Sequence, residues 1–164
     1  IFPDAEVISI DLDDESHAFT LSYGREEEKK LIKFLEIRKN NLDNKNIKFI
    51  QMSSLELENN FKNESFDLIW IDGDHLNPQV TIDIFQCLKL IKKNGMICVD
   101  DVIKDDEILK ENVNKEYLSS ESFKTLEYFN NLEYLKTSYF LKRVTRRNID
   151  GKKFISVSSL KDFI

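Results

Sequence analysis

Short unbroken apolar runs alternate along the chain with stretches in which apolar residues return every three or four positions. That is the pattern of buried strands separated by amphipathic helices. Val7-Ile8-Ser9-Ile10 ends at Asp11 and opens into Asp13, Asp14 and Glu15, a strand leading to an acidic loop. From Arg25 to Lys39, Leu31, Ile32 and Leu35 recur at helical spacing behind Glu26-Glu27-Glu28, with acids in the first turn and a base in the last to suit the helix dipole. Ile47-Lys48-Phe49-Ile50 is the next strand, running into Gln51-Met52-Ser53-Ser54, and a short helix is expected from Leu55 to Phe61.

Phe66 to Ile71 is nearly all apolar, as expected of a strand covered on both faces, which puts Trp70 in the core. Asn77-Pro78 offers a cap followed by proline at the first helical position. Val80, Ile84, Cys87, Leu88 and Ile91 then form a buried stripe expected to stop at Asn94-Gly95, where glycine can close the helix in the left-handed conformation. Met96 to Val99 is the following strand. Beyond Asp101, Lys104 to Asn114 is polar and acidic, and Ser119 to Leu132 is helical. Leu135 to Val144 and Phe154 to Val157 alternate apolar and polar residues around Asn148-Ile149-Asp150-Gly151, the mark of an antiparallel pair joined by a turn.

The two central strands share one design. Phe66–Ile71 runs into Asp72-Gly73-Asp74-His75, and Met96–Val99 runs into Asp100-Asp101. Roughly 25 residues separate the two stretches, enough for the helix that a parallel crossover requires. In an open α/β sheet the ligand crevice lies beyond the carboxyl ends of the strands. Asp72, Asp74, Asp100 and Asp101 are therefore expected to gather at one mouth.

Composition narrows the function. With 164 residues the chain fits one domain, able to bury roughly 70% of its unfolded surface. A formal net charge of -6 argues against non-specific nucleic-acid binding, which depends on basic side chains meeting phosphates. The one basic run, Lys142-Arg143 with Arg146-Arg147, reads as a solvated strand face rather than an anion patch. No apolar run approaches the ~20 residues of a membrane helix, and the first residues do not look like a signal sequence. A cytoplasmic protein is expected, and Cys87 and Cys98, each in an apolar run without metal-ligand spacing, read as buried free thiols.

Taken in order, these segments resemble the class I S-adenosylmethionine-dependent methyltransferases: a Rossmann-like, doubly wound, mostly parallel α/β sheet with a C-terminal antiparallel strand pair. Val7–Asp11, Ile47–Ser54, Phe66–His75, Gly95–Asp101 and the closing pair are similar to strands two to seven of that family. The Ile-Asp-Gly-Asp-His sequence and the Val-Asp-Asp pair most closely resemble small bacterial O-methyltransferases, which include sugar and macrolide modifiers. The four glycines, Gly24, Gly73, Gly95 and Gly151, form no GxGxxG turn, and no segment matches the family's first strand. The chain is therefore expected to be one methyltransferase-like domain over 1–164, either the downstream part of the full fold or a shortened homologue in which the second and fourth strands pair directly.

The resemblance implies roles. Asp11 matches the acid that receives both ribose hydroxyls of the cofactor, and Ser53 the position that contacts adenine, although Ser53 is equally placed to cap the following helix. Asp72, Asp100 and Asp101 match positions that hold a divalent ion, magnesium, in the metal-dependent members; in members without metal such acids cap helices or touch the cofactor, as Asp72 would. Asp74 matches the general base of related sugar methyltransferases, and His75 beside it is either a proton relay, a metal ligand or a local hydrogen-bonding residue. The implied activity is methyl transfer to a hydroxyl of a small molecule, magnesium-assisted or metal-independent. A non-catalytic binding or oligomerisation module is the alternative. The expected partner is a small-molecule substrate, without nucleic acid or membrane, and self-association is left open.

Overall fold

The computed structural model describes residues 4–104, 120–145 and 151–161. The expectations for residues 1–3, for most of the acidic stretch after Lys104, for Arg146-Arg147 and for the turn at 148–150 lie outside these. The chain forms two compact units, Ile1–Leu57 and Glu58–Ile164.

In the N-terminal unit, β1 (Val7–Asp11) leads to α1 (His17–Leu21), a 3-10 turn at Ser22–Gly24, α2 (Glu28–Leu42), β2 (Ile47–Gln51) and a 3-10 turn at Ser54–Glu56. β1 and β2 pair in parallel, with Val7 opposite Ile47 and Asp11 opposite Gln51. Ser16 starts α1 by accepting the Phe19 N–H at 3.2 Å. Phe19 is fully buried and meets Phe34 edge to face at 5.6 Å between centroids. The buried Arg25 guanidinium lies 3.9 Å from the Phe34 ring centroid and 4.2 Å from that of Phe19. With its charge largely removed from water, such a cation–π contact contributes about 2 kcal/mol. Helix α3 (Leu57–Asn60) follows, so the short helix expected here begins as a 3-10 turn.

The C-terminal unit contains β3 (Phe66–Ile71), α4 (Gln79–Leu90), β4 (Ile91–Val102), α5 (Glu121–Asn131), β5 (Leu135–Thr145) and β6 (Gly151–Leu160). Its sheet runs β3-β4-β6-β5. β3 and β4 are parallel, and β6 is antiparallel to both β4 and β5. The expected crossover and closing pair are both present, with β6 inserted between β4 and the edge strand β5. Ile71, Ile97 and Val99 pack with Val80, Ile84 and Cys87 of α4 and with Leu126 and Phe129 of α5 in one core. Two polar links fasten this layer: the Thr81 and Thr125 hydroxyls meet at 2.8 Å between α4 and α5, and Tyr139 of β5 donates to Glu127 of α5 at 2.7 Å.

Two expectations fail on the pleat. Trp70 and Leu68 are each 50% exposed and Met96 is 47% exposed, because successive side chains on a strand face opposite ways: Ile69 and Ile71 turn toward the core, as does Phe66 beyond a register shift, while Leu68 and Trp70 face away. The apolar run reflects a strand with one face in the core, so Trp70 is not a core residue. Helix α4, in turn, ends at Leu90 rather than at Asn94-Gly95, and Ile91 is already extended and paired with Phe66.

Gly95 therefore caps nothing. A Cβ there would stand 2.7 Å from the Ile91 side chain and 2.9 Å from the Asp67 carbonyl oxygen, so glycine is needed for close approach of β3. Gly95→Ala is expected to lower the unfolding free energy by about 1–3 kcal/mol through overpacking. Urea denaturation would read this as an earlier midpoint at unchanged slope; an unmoved midpoint would show that the strand yields freely.

Candidate active site

The parallel register of β3 and β4 fixes the first part of the site. Trp70 lies opposite Cys98 and Ile71 opposite Val99, so Asp72 and Asp100 emerge as neighbours from the same edge of the sheet. Asp100, Asp101, His75 and Lys142 all stand close enough to Asp72 for their charges to act on it. Asp74 turns its carboxylate back to accept the Leu76 N–H at 2.9 Å, a local turn that shapes the loop after β3.

Beyond Val99 the ladder is irregular. Between the pairs Val99–Ser156 and Val102–Phe154, β4 uses three steps where β6 uses two, so one residue is extra in the Asp100-Asp101 segment. Asp101 there has φ 47°, in the left-handed region. Between Leu141–Phe154 and Arg143–Lys153, β5 also carries an extra residue, Lys142. Such bulges re-aim side chains. Here they flank the same residue of β6, Phe154, and turn acids from one side and a lysine from the other toward each other.

The result is a network of charge pairs. Lys142 Nζ donates to Asp100 Oδ2 at 2.5 Å and to Asp101 Oδ1 at 3.1 Å. Arg143 donates to Asp101 Oδ2 at 3.1 Å, and Lys153 also donates to that oxygen. Asp100 Oδ1 accepts the Asp101 N–H at 2.8 Å. The lysine and arginine contacts leave no sign in the sequence, for they join residues 41 or more positions apart. Lys142 and Arg143 lie on an exposed strand face as expected, with their charged ends paired to Asp100 and Asp101.

This arrangement bears directly on the expected magnesium triad. Both oxygens of Asp100 and both of Asp101 are engaged. Among the described residues no group of three or more His, Cys, Asp or Glu side chains is arranged to hold a metal ion. As placed, the donor set does not fit magnesium, which needs oxygens about 2.0–2.1 Å away in octahedral array.

The N-terminal unit holds the other expected residues. Asp11 ends β1; its Oδ1 accepts the Leu12 N–H at 2.9 Å, and its Oδ2 lies 3.6 Å from Arg38 Nη1. Arg38 is committed elsewhere, donating to both oxygens of Asp14 at 2.7 and 2.6 Å, and these bonds hold the Asp14 carboxyl below its ordinary pKa. Asp11 thereby keeps lone pairs for further donors. Ser53 acts as the cap, accepting the Leu55 N–H at 3.2 Å.

The acids of the C-terminal unit differ in electrostatics. Loss of hydration raises the Asp72 pKa even though part of its surface meets solvent, and the Asp100 charge pushes the same way. For Asp101 desolvation also pushes upward, but hydrogen bonds from Lys153 and Lys142 outweigh it and the pKa falls. Burial pushes the Cys87 thiol up to about 12 and also raises that of Cys98, so both are the free, buried thiols expected. For Asp72 a folded-state pKa above the ordinary 3.8 means that its ionised form costs stability above both values and nothing below 3.8, where both states are protonated. Asp72→Asn is therefore expected to raise the melting temperature near neutral pH. The gain should shrink as pH falls through the folded-state pKa and vanish below 3.8; a gain independent of pH in calorimetry would contradict this.

Comparison with known proteins assigns the fold a lineage. Residues 4–102, more than half of the chain, match the family model described as "Methyltransferase domain". No curated protein matches the chain by sequence. Among solved structures, cofactor-bound Rv0187 from MTB is 16% identical with a TM-score of 0.62, over 96% of this chain and 62% of that one. The O-methyltransferase from Bacillus cereus in complex with SAH is 19% identical with a TM-score of 0.53, over 95% and 63%. The O-methyltransferase TomG from Streptomyces achromogenes, involved in tomaymycin synthesis and in complex with SAM, is 12% identical with a TM-score of 0.53, over 98% and 64%. The chain thus spans less than two thirds of the length of these neighbours. With the strand order and the acid-ended parallel pair already in place, the family match settles the assignment: the chain belongs to the methyltransferase domain family and has the class I S-adenosylmethionine-dependent methyltransferase fold.

Proposed function

We propose that this protein transfers a methyl group from S-adenosylmethionine to a hydroxyl of a small molecule. The observation that carries the reading is the parallel β3–β4 pair that delivers Asp72 and Asp100 to one edge beside the Asp74-His75 loop, in a chain of the methyltransferase family. The O-methyltransferases among the structural neighbours support an oxygen acceptor. The acidic balance of the chain, net -6, favours a small molecule over a polyanion.

When bound, S-adenosylmethionine supplies an electrophilic methyl group on a sulfonium sulfur. Asp11 would hold the ribose hydroxyls of the cofactor with the lone pairs that Leu12 and Arg38 leave open. Asp74 would accept the proton of the substrate hydroxyl as that hydroxyl's oxygen takes the methyl group and the methyl–sulfur bond breaks to release S-adenosylhomocysteine, and His75 stands next to it in the same loop as the candidate relay. Asp72 opens the same loop directly after β3 and would serve as a cofactor contact. No step is given to magnesium, because Asp100 Oδ2 and both oxygens of Asp101 are bonded to Lys142, Arg143 and Lys153, and Asp100 Oδ1 to the Asp101 N–H.

Asp11→Ala is the direct test. Arg38 keeps its bidentate partner Asp14, so the variant should fold. Losing charge-assisted bonds to the ribose should weaken S-adenosylmethionine binding by about 10- to 100-fold. Calorimetric titration of the full-length protein measures both forms. Equal affinity in the two would remove Asp11 from the site, and no binding of S-adenosylmethionine or S-adenosylhomocysteine by the unaltered protein would overturn the function.

A further inference from the structure

We infer that Lys142 is the built-in cation of the strand-end carboxylates, and that its ammonium, bridging Asp100 and Asp101, keeps a divalent metal off their oxygens. The inference builds on the proposed site but concerns only its charge balance.

Three acids, Asp72, Asp100 and Asp101, follow directly from the paired residues Ile71 and Val99 at the ends of β3 and β4. The Asp100 side chain is only 8% exposed and that of Asp101 17%. Carboxylates so far removed from water need a compensating cation. The bulge in β5 supplies one by turning Lys142 across β6, where its ammonium bridges Asp100 Oδ2 at 2.5 Å and Asp101 Oδ1 at 3.1 Å. A single charge shared by oxygens of two residues holds them as a divalent ion would. Lys153 and Arg143 complete the set on Asp101.

A metal and this ammonium compete for the same oxygen. A magnesium ion coordinated to Asp100 Oδ2 at about 2.1 Å would have to share that oxygen with the lysine, bringing two positive centres within a few ångströms of each other. One must leave. Lys142 is covalently tethered and already bridged to both acids, so it prevails at ordinary metal concentrations.

The test is metal binding without cofactor or substrate, so that its outcome stands apart from whether the protein binds S-adenosylmethionine. Manganese, a spectroscopic substitute for magnesium, is titrated by electron paramagnetic resonance, with thermal stabilisation by magnesium as a second readout. Lys142→Met keeps the aliphatic stem and removes the charge; Lys142→Arg keeps the charge. Manganese should bind the Met variant at least about tenfold more tightly than the unaltered protein, and the Arg variant should resemble the latter. Adding Asp100→Asn to Lys142→Met should abolish the gain. If the unaltered protein binds manganese as tightly as the Met variant does, or if that variant gains nothing, the inference fails. Should the Met variant fold poorly, magnesium should restore its melting temperature, and a melting temperature indifferent to magnesium would equally overturn the inference.

Discussion

A carboxylate at the end of a buried strand must be compensated, and the C-terminal unit is arranged around that requirement at Asp100. β4 is shielded by β3 on one side, β6 on the other and the helices α4 and α5 against one face. Its last residues inherit that burial, and Asp100 is 6% exposed. An isolated charge there would cost several kcal/mol. The answer lies in the backbone: an extra residue in β4, another in β5, and a left-handed Asp101 bring acids and lysine to a common point. Regular ladders would have kept the period of two and aimed these side chains by strict alternation.

What the sequence revealed follows from how far each interaction reaches along the chain. Strand β3, helix α4 and strand β4 are local patterns, and the apolar stripe through Val80, Ile84 and Cys87 marks the helix face that the core accepts. The closing pair was legible for the same reason, since alternation survives through Thr137 and Tyr139. Gly95 was misread because a glycine after an amphipathic helix suggests a cap, whereas its actual constraint is the carbonyl of Asp67 on the neighbouring strand. Trp70 was misread because a strand with a single buried face can still be apolar on both.

In the candidate site, the acids announced themselves because they interrupt apolar runs, and register then placed Asp72 beside Asp100. Their cations did not. Lys142 is separated from Asp100 by 42 positions and reaches it only through a bulge, which leaves no periodic trace. Ser53 stood open between two roles; its hydroxyl accepts Leu55 N–H, a local bond that the spacing alone allowed but did not require.

The pleat that leaves Trp70 half exposed gives the molecule an optical handle. It is the one tryptophan of the chain, its register partner is Cys98, and Leu68 and Met96 stand open beside it. The emission wavelength of an indole tracks the polarity around it, so a change of cover over this face of the sheet would be written into the intrinsic fluorescence with no label attached. Because Ile69 and Ile71 on the same strand point into the core, that signal reports on the outer face while the core packing stays silent.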